Sequence, residues 1–425
     1  MIESWKEITF GDHITILTDY HANGSYEALK KHITIKHSPD YAAMIRTLNF
    51  ERNDFENDLI YLNEEEYNYL SKSKVFGGDI LMNKIANAGS VYLMPDIKRP
   101  VSLAMNLFLI RLDDKINQRF MFYLMKHNEG YIKLYANGAA TSTITKNAVR
   151  NLKFVIPSLP TQQKIAGILS AYDDLIETNL KRIKLLEEMA QITYEAWFVR
   201  LRFPGHESTT INPETALPEA WRMGIMQDLF DFKNGYVFES GTYIQDGQHK
   251  IVTIKNVQDG SFIPETTNTI AELPRNIKAH HQLSTGDIIM SLTGNVGRVC
   301  LVYGENYLLN QRVAKAVPNN PVDRLYVYTL LRSRGTLTQL ENISNGAAQQ
   351  NLSPVNASKM PTLMPARSVL NDFNKNIGSI IDLICLKNIE NNRLREARDI
   401  LLPRLMTGVI DVESYDLTRL LKEAA

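Results

Sequence analysis

Offset by 208 residues, the chain matches itself. Gly78-Asp79-Ile80 falls on Gly286-Asp287-Ile288, Met82 on Met290, Asn87 on Asn295 and Gly89 on Gly297. The same offset takes Asn137-Gly138-Ala139-Ala140 onto Asn345-Gly346-Ala347-Ala348, and Pro157 onto Pro365. At nearby offsets Glu3-Ser4-Trp5 matches Glu219-Ala220-Trp221, and Asn23-Gly24 matches Asn234-Gly235. A period near two hundred residues is too long for a solenoid, so the repeat predicts two duplicated domains.

Each copy ends in a long helical stretch. Thr161 to Phe203 has no proline and one glycine, and its apolar residues fall at helical spacing. Within that face a seam steps by four and three through Leu169, Tyr172, Ile176, Asn179, Ile183, Leu186, Ala190, Thr193 and Trp197. A 3.5-residue period suits a coiled-coil partner. The 208-residue offset supplies one, with Ile377, Ile380, Ile384, Lys387, Asn391, Leu394, Arg398, Leu401 and Leu405. Asn179 is polar on the seam, where one amide fixes register at some cost in stability. Glu187, Glu188, Lys181, Arg182 and Lys184 are expected on the outer face, and Asp173-Asp174 on a solvated one. Thr161 after Pro160 is the expected N-cap. At ~1.5 Å per residue such a helix spans roughly 60 Å, the length of a spacer.

The chain therefore divides into a first domain (1–158), a helix (159–203), a linker (204–218), a second domain (219–363), a second helix (364–408) and a tail (409–425). Short β-type runs separated by turn residues mark the domains: Ile14 to Leu17, Val91 to Met94, Leu107 to Ile110, Asp287 to Met290 and Val299 to Val302. Gly77-Gly78-Asp79 and Asn87-Ala88-Gly89 frame a hairpin. Arg119 to His127 reads as a short helix, and Val369 to Leu405 as the second long one.

Lys plus Arg and Asp plus Glu both number 47, so no global positive field announces nucleic acid. Charge segregated by face, or supplied by partner subunits, leaves that class open. Two cysteines far apart imply neither a metal site nor a disulfide framework, as expected of a cytoplasmic protein. MIESWKEITF is not a signal peptide, and no apolar run reaches membrane-spanning length. There is no G-x-x-x-x-G-K-[ST] phosphate loop, no H-E-x-x-H and no G-x-S-x-G. Gly294-Asn295-Val296-Gly297 lies between two strands and reads as a hairpin turn. No catalytic constellation emerges.

What remains is binding chemistry. Lys84 and Asn87 sit in the first hairpin loop; Thr293, Asn295 and Arg298 sit in the second. Thr141, Ser142, Thr143 and Lys146 follow one Asn-Gly turn; Gln349, Gln350 and Asn351 follow the other. Arg46 and Asn49 have counterparts near Lys255 and Asn256. Amides pair bidentately with adenine and arginine with guanine, whereas lysine and hydroxyl groups suit phosphates. Any one of these is also an ordinary polar turn residue. As sets recurring at equivalent places, they predict a paired recognition surface.

The arrangement resembles the DNA-specificity subunit of type I restriction–modification systems. The resemblance covers nearly the whole chain and is carried by LKFVIPSLPTQQKIAGILSAYDDLIETN, MPTLMPARSVLNDFNKNIGSIIDLI, EAWFVRLRF, LLPRLMTGVIDV and both Gly-Asp-Ile hairpins. The second junction departs from the first, with Ser368 to Asp372 in place of the Pro160 to Lys164 pattern. The resemblance implies an α+β fold: two pseudo-repeated mixed α/β target-recognition domains joined by two long helices packed as an antiparallel coiled coil. It implies that each domain reads one half of an asymmetric bipartite site in double-stranded DNA. It implies that the helices, held to each other at seam residues Ile176, Asn179, Ile183, Leu186, Ile380, Ile384, Asn391 and Leu394, set the spacing and dock two methyltransferase subunits. Restriction/translocase subunits join that core. The resemblance implies that the chain itself is non-catalytic, with S-adenosylmethionine, ATP and Mg expected in partner subunits. Alternatives are a coiled-coil protein-interaction scaffold, the specificity module of a methylation-only system, and a fused single-chain methyltransferase or nuclease.

Overall fold

The computed structural model describes residues 5–138, 141–344 and 350–413. They fall into two compact units. One joins the chain up to Asp174 with the chain from Arg395; the other is Leu175–Leu394. Each long helix is thus shared between the units, whereas the sequence set the helices apart from the globular domains.

In the first unit an antiparallel sheet has the order Ile14–Asp19, Leu107–Leu112, Ile80–Asn83, Val91–Leu93. Side chains alternate across a strand, and here both faces are buried. Phe108 and Ile110 lie opposite Met82 and Ile80 in register, and these four join the apolar core with Phe120 and Leu124 of helix Gln118–His127. Leu81, Leu107 and Leu109 join a second core, with Ala43, Ile45, Val101 and Leu103. Those residues belong to a second sheet ordered Ile60–Leu62, Ala42–Ile45, Val101–Leu103, Lys74–Val75, whose middle pair is parallel. Lys6–Thr9 pairs with Lys153–Ile156 beside the first long helix.

The second unit repeats this order strand for strand. Its first sheet runs Phe230–Asn234, Val313–Pro318, Ile288–Ser291, Val299–Leu301. Its second runs Thr269–Ile270, His249–Val252, Tyr307–Leu309, Gln282–Leu283, again with a parallel middle pair. Ile288, Met290, Ala314 and Ala316 face one core, and Ile289 and Val313 the other. A small hairpin, Val257–Gln258 with Ser261–Phe262, has no counterpart among the described residues of the first unit.

The Gly-Asp-Ile motif is a turn device in both copies. Gly78 and Gly286 hold φ of 84° and 88°, which a side chain would strain. The Asp79 carboxylate accepts from the Phe76 N–H at 2.7 Å and pairs with Arg111 on the neighbouring strand at 2.6 Å. Asp287 does the same with the Ser284 N–H at 2.8 Å and Lys315 at 2.6 Å.

The first long helix is Leu159–Tyr194, continued by a wider π turn over Glu195–Val199, and the second is Arg367–Met406. The first begins two residues before the expected Thr161 cap. The Ser158 carbonyl accepts the first helical bond, from Gln162, and Pro160 sits where its missing N–H costs nothing. The anchors of the two helices have diverged. Gln162 is buried and accepts from the Asn117 N–H at 2.9 Å. At the second junction Arg367 instead donates to the buried carboxylate of Asp323.

Within the second unit the helices run antiparallel, with Asn179 against Asn391 and Trp197 against Phe373. Ile176, Asn179, Ile183, Ile384 and Asn391 are buried on the seam, while Leu186, Ile380 and Leu394 are partly so. The Asn179 amide donates to the Asn391 carbonyl oxygen at 3.0 Å; the other oxygen and the other NH₂ are buried without partners. Removing one amide would strand its mate at a cost of about 1–3 kcal/mol. A slip of either helix would set each amide against apolar neighbours such as Ile183 or Ile384, so the pair favours one register.

Two charged positions differ from expectation. Glu187 is not on the outer face but 8% exposed, bonded to Tyr328 and Arg332. In the first unit Asp173 accepts from Tyr123 at 2.5 Å and from Arg398 at 2.6 Å, and Asp174 from Arg119 at 2.7 Å. Asp173 thus ties the helix to its surroundings, whereas Asp174, 56% exposed, stays on the solvated face expected of it.

Candidate nucleic-acid interface

The two candidate sets of each copy meet at one edge of the unit. In the first unit the loop of the Ile80–Asn83 hairpin runs against the segment after the Asn-Gly turn: the Ala86 N–H donates to the Ser142 carbonyl at 2.9 Å, and Ile144 N–H to Lys84 at 3.0 Å. The second unit repeats both bonds, Gly294 to Gln350 at 3.2 Å and Leu352 to Leu292 at 2.8 Å. Ile85 bridges Thr143 in one and Thr293 bridges Asn351 in the other. Left-handed residues shape both loops, at Ala86 and Gly294 and at Gly89 and Gly297. A third segment closes the surface. Lys84 N–H donates to the Asn106 carbonyl and Leu292 N–H to that of Arg312, at 2.9 and 3.0 Å. Met105, Asn106, Gln311 and Arg312 are all exposed.

The chemistry laid on this common backbone differs. In the first unit Asp19 ends a strand beneath the hairpin and takes Lys84 at 2.9 Å and Lys146 at 3.2 Å. Burial works to raise the Asp19 carboxyl, but the bonds and charges of Lys84 and Lys146 outweigh it and hold it below its ordinary value. Both ammonium groups also lie within 6 Å of the Phe108 ring, at 5.8 and 5.9 Å. The Lys84 side chain is 12% exposed, so it is largely spent on Asp19; Lys146, at 38%, faces solvent more freely.

Strand register places Asn234 where the first unit has Asp19, since each lies one strand across from the residue facing Met82 or Met290. Leu292 stands for Lys84. Pro354, first in a helix capped by Ser353, stands for Lys146, first in a helix capped by Thr145. The ion cluster is therefore absent at these positions, and Asn234, Leu292 and Pro354 line a groove of about 490 Å³. Beside it Thr293, Gln311, Arg312, Gln350 and Asn351 line one of about 440 Å³. The Thr293 hydroxyl oxygen is buried there without a partner.

The remaining candidates divide. Asn87, Thr141, Lys255, Gln350 and Asn351 are exposed, and Ser142 is half-buried. Thr143 is exposed but its hydroxyl donates to the Asn137 carbonyl at 3.1 Å. Arg298 reaches Gln258 of the extra hairpin, and Asn295, with its oxygen toward Arg298, accepts from it at 3.0 Å. Gln349 lies outside the described residues. Asn49 and Asn256 are corrections: at 3% and 2% exposed they present no edge to a base. Each caps the end of a strand, accepting from the N–H of Arg46 and of Thr253 at 2.9 Å. Arg46 therefore corresponds to Thr253 and not to Lys255, and its guanidinium donates to the Asp58 carbonyl. The Asn23-Gly24 match with Asn234-Gly235 also fails, because Asn23 lies in a 3-10 turn after the strand that Asn234 ends in its own unit.

A sequence profile described as Type I restriction modification DNA specificity domain matches residues 3–188 and again 218–366, which together make up most of the chain. This chain belongs to that family of DNA-specificity subunits. It carries two target-recognition domains, one in each unit. The chain is 25% identical over 407 residues to the Type I restriction enzyme HindI specificity subunit of Haemophilus influenzae, covering 80% of this chain and 88% of that one. It is 24% identical over 341 residues to the Type I restriction enzyme MjaVIII specificity subunit of Methanocaldococcus jannaschii, covering 78% of each. The crystal structure of a Type I restriction-modification system S subunit from M. genitalium shares the fold, with TM-score 0.55 and 16% identity over 94% of this chain and 96% of that one.

Five residues of this specificity subunit's site escape sequence reasoning: the buried Asp19, and Met105, Asn106, Gln311 and Arg312 on the surface. The last four sit before strands that repeat at an offset of 206, two short of the offset that exposes the repeat. Among the described residues no cluster of three or more His, Cys, Asp or Glu side chains could hold a metal ion, and no helix is long and apolar enough to cross a membrane.

Proposed function

We propose that each target-recognition domain reads one half of an asymmetric bipartite site in double-stranded DNA, with the long helices as spacer and as the platform for two methyltransferase subunits. One observation carries the reading. Two copies of one backbone scaffold present loop sets at the same edge, yet the groups on them differ, with an Asp19–Lys84–Lys146 cluster against Asn234, Leu292 and Pro354. A twofold protein reads a palindrome; a fused and diverged pair keeps the near-twofold frame for identical partners while reading an asymmetric sequence. Restriction/translocase subunits complete the complex in this proposal. S-adenosylmethionine, ATP and Mg act in the partners, where the target base is flipped for methylation.

The test is a gel shift of the purified chain with its methyltransferase subunit across a salt series. Phosphate contacts make log affinity fall linearly with log salt. The expected result is tight binding of target duplex that weakens steeply with salt. Salt-insensitive or absent DNA binding would favour the scaffold alternative.

The helices also carry an apolar stripe that the second unit leaves uncovered. Leu185, Met189 and Ile192 recur by four and three on the first helix and are 59%, 52% and 66% exposed. This is the spacing of a helix-docking face. Leu185→Asp with Ile192→Asp is expected to leave thermal unfolding within a few degrees of the parent while co-purification with the methyltransferase subunit drops at least about tenfold. An undiminished complex would place the docking face elsewhere.

A further inference from the structure

We infer that the two domains discriminate bases with different side chains at equivalent loop positions, and that the segments before the central strands, Met105-Asn106 and Gln311-Arg312, are specificity determinants. The inference rests on the functional reading above. Backbone bonds fix the equivalence. The Asn106 and Arg312 carbonyls each accept from the first residue of a hairpin loop, which aligns Met105 with Gln311 and Asn106 with Arg312. The bridges align Ile85 with Thr293 and Thr143 with Asn351.

In the second domain this surface is a groove built from Thr293, Gln311, Arg312, Gln350 and Asn351. It offers a guanidinium fork, three amides and a hydroxyl, and no acidic side chain. No described residue forms an ion pair with Arg312 in the structure, and the Thr293 hydroxyl has no partner. A fork matches guanine O6 and N7; an amide matches adenine N6 and N7. In the first domain the aligned residues are Ile85, Met105, Asn106, Ser142 and Thr143, so two apolar side chains, Met105 among them at 47% exposed, stand where the second domain has a hydroxyl and an amide, and an exposed amide, Asn106, stands in place of the guanidinium. Apolar side chains there suit the thymine methyl group. Of the lysines nearby, Lys84 is largely spent on Asp19, and Lys146, 38% exposed, offers an ammonium group and not a fork.

The experiment maps methylated motifs by sequencing DNA from cells that carry the whole complex with Arg312→Ala, Arg312→Lys, Gln311→Met or Met105→Gln. Arg312→Ala is expected to relax one position of the half-site read by the second domain and to cut discrimination there about 5- to 150-fold, the range for one lost bidentate contact. The other half-site stays unchanged. Arg312→Lys keeps a phosphate contact but loses the fork, so it should relax the same position. Met105→Gln should alter a position in the first half-site alone. These side chains are exposed, so the complexes should assemble as the parent does. Unchanged motifs in all four variants would overturn the inference, as would full discrimination with Arg312→Ala, which would make Arg312 at most a phosphate contact. If the parent complex methylates no bipartite motif, the functional reading itself falls and takes this inference with it.

Discussion

Replacing Glu187 with alanine is expected to destabilise the second unit by about 3–5 kcal/mol, the cost of breaking a buried ion pair by removing one partner. The Tyr328 hydroxyl donates to the Glu187 carboxylate at 2.6 Å, and Arg332 donates to its other oxygen. The Glu187 and Arg332 side chains are 10% and 11% exposed. Without Glu187, Arg332 would keep only Asp259, 3.4 Å away and itself 58% exposed, while Tyr328 would be left buried with no acceptor. Burial raises the Glu187 carboxyl above its ordinary value, more than Arg332 lowers it. The charged form is thus held at a net cost, and the linkage has a definite sign. A carboxyl raised in the folded state contributes most below its unfolded value near 4.3, and that contribution is lost as pH rises through the folded value. It follows that replacing the pair together, Glu187→Leu with Arg332→Met, and with Tyr328→Phe so that no buried hydroxyl is stranded, should recover most of the loss. For a unit of this size 3–5 kcal/mol corresponds to a fall in Tm of roughly 6–20 °C. Thermal unfolding of the three proteins checks this. A fall of less than about 2 °C for Glu187→Ala would mean that the network adds nothing to the packing around it.

Glu187 also marks where sequence reasoning stops. The seam was legible because a 3.5-residue period is a local property: Ile176, Asn179, Ile183 and Ile384 are buried as the spacing requires. Glu187 follows Leu186 by one residue, and nothing local says that Tyr328 and Arg332 will cover it. Only the fold brings them there. The hairpins were legible because a turn is local and recurs, and Gly78 and Gly286 share their left-handed backbone for one reason. The second sheet of each unit was not. Ala42–Ile45 is buried throughout, so it shows no alternation, and its parallel partner lies beyond several intervening elements. Asn49 and Asn256 show a different limit. Their recurrence is real, but what recurs is a strand-end cap, since a duplicated scaffold preserves structural amides as readily as functional ones. Asp19 carries no local sign of its lysine partners, which lie 65 and 127 residues away, and its role follows from the fold.

The largest functional effect is expected from exchanging residues 219–360 for the equivalent unit of a relative that methylates a different site. The boundaries suit the exchange. The segment begins after the linker and ends before Pro361–Met364, whose pairing with Arg222–Ile225 is made by backbone and tolerates sequence change. The second domain keeps its own core, in which Ile289, Val313, Val252 and Leu309 pack together. Its contacts with the helices are the weaker point. Tyr328 and Arg332 must meet Glu187, so the donor should carry residues compatible with that acid or bring the exchange of the pair described above. Sequencing of methylated DNA from cells carrying the chimeric complex measures the outcome directly. Independent recognition domains predict a site in which one half is the donor's and the other half is unchanged. A site altered in both halves, or in neither, would contradict it.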